Sequence, residues 1–171
     1  MPRCCFGFLV AGSLFAAAGL GMTVGSPITA VADEAKDEAT KKDEAIKKDR
    51  KLYEGTWQIV ALVVNGEKSG DEDARKLSVL NGADGSWSLR SEDKEVNRGR
   101  NILDPTKKPK TIDVIVIEGD KETQTFQGIY EITETTRRLC FVPPGIERPT
   151  EFASTPGSER FLVTFEREKT K

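Results

Sequence analysis

Histidine is absent from the chain, and that one absence removes several functions. Acyl-transfer triads use an imidazole as their base, and the histidine-containing zinc sites need the same ring. Cysteine is scarce: there are three, Cys4, Cys5 and Cys140. A large excess of either charge is missing as well, with 26 basic against 28 acidic residues. With no large basic excess, nothing in the charge balance points to nucleic acid or an anionic membrane as a partner. No phosphate-cradling glycine loop, dinucleotide fingerprint or zincin pattern occurs. Acids are plentiful, but nothing singles out the carboxylate pair that glycoside hydrolysis would need. The expectation is a non-enzyme, with no catalytic residue, metal site or cofactor.

The first 32 residues differ in kind from the rest. Arg3 gives a positive start, residues 6–25 are apolar or small, and Ala30-Val31-Ala32 precedes Asp33. Charged start, apolar run and A-x-A site predict a secretory signal peptide cleaved after Ala32. The competing reading is an uncleaved anchor, since about 20 apolar residues suffice to cross a bilayer. With cleavage, the mature protein is secreted or periplasmic and keeps one cysteine. Cys140 lies between Leu139 and Phe141, which predicts a buried, inert thiol rather than a reactive one.

Residues 33–51 form a second segment. Asp37 and Lys41, Glu38 and Lys42, Asp43 and Lys47, and Glu44 and Lys48 are acid-to-base pairs four residues apart. That order favours a solvated helix. Ile46 and the alanines offer the only apolar face, so the segment reads as a charged helical linker.

From residue 52 the hydrophobic period becomes two. Trp57, Ile59, Ala61 and Val63 alternate with Gln58, Val60, Leu62 and Val64, and Asn65-Gly66 closes the run as a turn. Ser69 followed by Glu72 resembles a capping box opening a short helix to about Leu77. The acids 71–73 lack the spacing of a calcium loop. Further short runs follow at 77–80, 86–90, 96–103, 111–117, 123–132, 137–142 and 161–165. Trp87 shares a face with Leu89, Phe126 with Tyr130 and Ile132, and Leu139 with Phe141. A loop over 143–158 holds four of the eight prolines. Short strands joined by turns predict an all-β antiparallel domain over residues 52–171. About eight strands closing up-and-down into a barrel would leave no edges, and an interior fit for side chains or one small ligand.

Gly55-Thr56-Trp57 resembles the G-x-W signature of lipocalins and their calycin relatives. The resemblance implies a tryptophan plugging the closed barrel end, crossed by a basic residue. Arg167 is the best match by position and Arg138 the second. A wider set of segments covers nearly the whole mature domain. Glu54-Gly55-Thr56-Trp57, Val64-Asn65-Gly66-Glu67-Lys68, Leu103-Asp104-Pro105-Thr106-Lys107-Lys108-Pro109-Lys110-Thr111-Ile112-Asp113 and Gly128-Ile129-Tyr130-Glu131 belong to it. So do Leu139-Cys140-Phe141-Val142-Pro143-Pro144-Gly145 and Arg148-Pro149-Thr150-Glu151-Phe152. Together they resemble a large family of exported domains expanded in planctomycete bacteria. That resemblance implies a lipocalin-like fold and carries no established activity.

The functional expectation is an extracytoplasmic, monomeric binding domain for a small apolar molecule. Trp57, Trp87, Phe126, Tyr130 and Phe141 on the interior phase are the candidate ligand contacts, with Arg148 and Phe152 from the proline-rich loop. The alternative is a protein–protein or cell-envelope interaction domain whose barrel is filled. The lysines at 107–110 read as a solvated loop opposing edge pairing.

Overall fold

A computed structural model of the chain describes residues 28–92 and 94–169. Most of the signal-peptide segment, residues 1–32, thus lies outside the described residues. Helix α1 (Ile28–Tyr53) carries the charge pairs, and residues 37–44 are exposed. Its last two turns change character, because Asp49 and Tyr53 are buried. Arg50 and Lys51 occupy the final turn, where cations complement the helix dipole.

The sheet consists of β1 (Gly55–Val64), β2 (Glu67–Lys68), β3 (Leu77–Asn81), β4 (Ser86–Ser91), β5 (Lys94–Asp104), β6 (Lys110–Glu118), β7 (Lys121–Ile132), β8 (Thr136–Val142) and β9 (Phe161–Arg167). Each strand pairs antiparallel with the next around the sheet, and β9 returns to pair with β1 from Trp57–Arg167 to Val64–Phe161. Eight strands therefore close a barrel. The two-residue β2 folds back on β1 at the Asn65-Gly66 turn.

Gly55 joins helix to barrel with φ +105°, and a Cβ there would sit 3.1 Å from Nη1 of Arg167. Glycine is the residue that accepts both this backbone conformation and a guanidinium at such range. The G-x-W glycine is thus set by the helix-to-strand corner.

Three local expectations need correction. Strand β1 bulges at Val60, with Ile59 opposite Phe165 and Ala61 opposite Thr164. One extra residue reverses the alternation beyond it. Leu62 consequently faces inward in place of Ala61 and Val63. The expected capping box is also absent: α2 (Asp71–Ala74) is a single turn with Gly70 at its N-cap and no side-chain cap bond. It inserts the buried Ala74 into the core beside β1. Lys110, expected in a solvated loop, instead pairs with Asp49 of α1 at 2.6 Å.

The proline-rich loop lies along the outside of the barrel. Arg148 donates to the Ile112 carbonyl at 2.8 Å, to the Gly128 carbonyl at 2.7 Å and to the Asp113 carboxylate at 2.6 Å. Phe152 stacks under Arg138 at 4.8 Å. Cys140 donates from its thiol to the Ala153 carbonyl, and burial raises its pKa, as an inert cysteine requires. The loop then reaches the β1–β2 turn, where Ser154 accepts from Gly66 N–H and Asn65 accepts from Glu159 N–H. Arg148 is thus a latch between loop and wall. Arg148→Ala is expected to cost about 2 kcal/mol, the worth of charge-assisted bonds to partners left unsatisfied. Labelling of Cys140 by a thiol reagent under native conditions should accelerate; an unchanged labelling rate would show that the loop is held elsewhere.

Candidate functional site

The barrel encloses an apolar cavity of about 210 Å³. Its walls come from the inward phase of successive strands: Ile59 and Leu62, Leu77 and Val79, Leu89, Val114, Leu139, and Val163 with Phe165. Leu62, Leu77, Leu89 and Val114 are half-buried and lie toward the end away from α1. Phe126, Phe141 and Phe161 gather at that end. The first two meet edge-on at 5.9 Å, and the rings of Phe141 and Phe161 stack at 5.1 Å.

The other end is closed by α1 and is polar in a patterned way. Asp49 accepts from the Tyr130 hydroxyl at 2.8 Å and from Lys110 at 2.6 Å. Burial, and then the bond to Asp49, raise the Tyr130 pKa, so this phenol stays a donor. Arg50 reaches to Asn101, donating to its side-chain oxygen and, at 3.0 Å, to its carbonyl. Farther up the helix, Lys42 pairs with Asp104 at 2.9 Å. The hydroxyl of Thr106, and next Lys42 itself, hold Asp104 at a pKa of about 2.

Trp57 is fully buried at the base, and its indole N–H donates to the Tyr53 carbonyl at 2.9 Å. Two guanidinium groups lie over its ring, Arg167 at 4.3 Å and Arg137 at 4.9 Å. Arg167 is the residue that the lipocalin resemblance implied. Arg138, the second candidate, points outward to Phe152, because neighbouring residues of β8 face opposite sides of the wall.

The two arginines differ in one decisive respect. Arg167 donates to the Glu134 and Glu54 carbonyls, each at 2.7 Å, and to the Leu52 carbonyl. Two of those acceptors lie at the C-terminal end of α1, where carbonyls lack helical partners. Arg137 is 2% exposed and lies 4.0 Å from the Phe165 ring and 4.4 Å from that of Tyr53. Its Nε and Nη1 have no hydrogen-bond partner among the described residues. Burial lowers its pKa to about 10, which still leaves it cationic at neutral pH. An unpaired buried charge costs several kcal/mol, and stacking on three rings offsets only part, at roughly 0.5–2 kcal/mol for each ring. The same cavity is lined by Trp87, whose buried Nε1 also has no partner among the described residues, and by Asn81 and Asn101.

Of the residues expected to contact a ligand, Trp87 and Phe141 line the cavity. Trp57 lies beneath it, Tyr130 belongs to the Asp49 network, and Phe126 packs edge-on against Phe141 and Phe161. Arg148 and Phe152 lie on the outer surface, away from the cavity. Sequence reasoning did not reach Tyr53, Asn81, Asn101 or Arg137. Arg137 was within reach, since it is two residues before Leu139 and four before Phe141 on the same inward phase. A cation in that phase is the signal.

No group of three or more metal-ligating side chains occurs among the described residues. In comparisons with family models, with curated proteins and with solved structures, nothing matches the chain.

Proposed function

We propose that this barrel is a non-enzymatic, extracytoplasmic binding domain that holds one small, largely apolar molecule. The observation that carries the reading is the 210 Å³ cavity, walled by aliphatic and aromatic side chains, with a few polar groups at one end. Apolar walls with sparse, placed polar groups are the general make-up of ligand sites. The volume is below the usual ~300–1,000 Å³, which restricts the ligand to a small one. An interaction domain would have a filled barrel, and the cavity speaks against it. The signal-peptide reading of residues 1–32 and the resemblance to exported domains support a site of action outside the cytoplasm.

A thermal-shift screen of the purified protein against small lipids and aromatic metabolites tests this. Ligands that bind only the folded state raise its melting temperature with concentration. Val79→Phe, which places a ring inside the cavity, should abolish the shift while leaving the melting temperature within a few degrees. A ligand-induced shift unaffected by Val79→Phe would place binding elsewhere. The absence of any stabilising compound of matching size would count against a binding function.

A further inference from the structure

We infer that the cavity selects organic anions: the carboxylate of a short-chain or aromatic acid meets the buried Arg137, and its apolar body lies toward the phenylalanine end. This rests on the binding reading above and names the chemistry of the ligand. Three arginines converge on the closed end of the barrel, and none forms an ion pair among the described residues. Arg50 is held by Asn101 and Arg167 by three carbonyls. Arg137 lines the cavity, and its Nε and Nη1 have no acceptor among the described residues. The buried acid at this end, Asp49, is occupied by Lys110 and Tyr130. A guanidinium fork is shaped for a carboxylate, and Trp87, which also lines the cavity, has a buried indole N–H without a partner among the described residues. Apolar walls then discriminate against small hydrated anions. The volume of about 210 Å³ limits the acid to a short or medium chain.

Calorimetric titration of the purified protein with octanoate, 1-octanol, octylammonium and acetate tests the inference. Octanoate should bind at least tenfold more tightly than 1-octanol, and octylammonium and acetate more weakly than both. In Arg137→Met, a change of similar length that leaves an apolar floor, octanoate should fall to within threefold of 1-octanol, with 1-octanol binding retained. Trp87→Phe should weaken octanoate while preserving the ring, and it serves as the test should Arg137→Met fail to fold. A purely structural role for Arg137 would change the melting temperature and leave the octanoate-to-octanol ratio unaltered, which would overturn the inference. Equal affinities for octanoate and octanol in the unmodified protein would also overturn it, while leaving the barrel a binding domain. No saturable binding of either compound would remove the binding reading and the inference together. Acetate binding as tightly as octanoate would likewise overturn the inference, because the apolar walls would then play no part.

Discussion

Trp57→Ala is expected to lower stability by about 4 kcal/mol, the range for removing a fully buried large aromatic side chain. That is about a quarter or more of what holds a typical domain together. The reason lies in what the indole does at the base of the barrel. It fills the space between α1 and the cavity floor, ties its N–H to the Tyr53 carbonyl, and offers its ring to both Arg137 and Arg167. Without it, two cations face a void. Trp57→Phe retains a ring but orphans the Tyr53 carbonyl, and should cost about 1–2 kcal/mol. Urea denaturation of the three proteins measures both values. A Trp57→Ala midpoint within a few tenths of a molar of the parent would mean that the helix plug and tryptophan do not close the barrel.

The second large effect is expected at Gly99, where β4, β5 and β6 run side by side. Gly99 lies opposite Trp87 and Val116. A Cβ there would strike the Ile115 carbonyl oxygen and approach the Trp87 ring to 2.7 Å. The oxygen belongs to the neighbouring strand's backbone, which has no rotamer to change. Gly99→Ala should therefore force β5 and β6 apart and cost about 3 kcal/mol, the upper end for overpacking. Gly119 provides the contrast. Nothing lies within 4 Å of its Cβ position, and its φ of +62° is the only penalty, about 1 kcal/mol for alanine. Comparable costs at the two sites would show that Gly99 is not pinched between strands.

The period-two pattern made the barrel legible from sequence, because alternation reports directly on a wall with one wet and one dry face. Wherever a strand kept its register, the assignment transferred: Trp87 and Leu89, Leu139 and Phe141, and Val163 and Phe165 all face inward. It failed at Val60, where a single bulged residue reversed the phase, since a bulge leaves no mark in hydrophobicity. The end of α1 was hidden for a different reason. Asp49 and Arg50 look solvated by composition, and only their partners Lys110, Tyr130 and Asn101, more than fifty residues away, explain their burial. The path of the proline-rich loop is equally non-local, because Arg148 is anchored on strands 20 and 36 residues earlier. The cavity floor carries a signal of another kind. Arg137 stands on the inward phase of β8, where a cation breaks the apolar pattern that marks a barrel wall, and its Nε and Nη1 lack partners among the described residues.

The claim on which everything else depends is that the closed barrel has an accessible apolar interior. A crystal structure determined under xenon pressure tests it directly, because xenon enters dry cavities of this size and lining. Xenon density is expected between Ile59, Leu62, Leu139 and Val163, above the guanidinium of Arg137. Side chains packed through that space, with no xenon inside the barrel, would contradict the account.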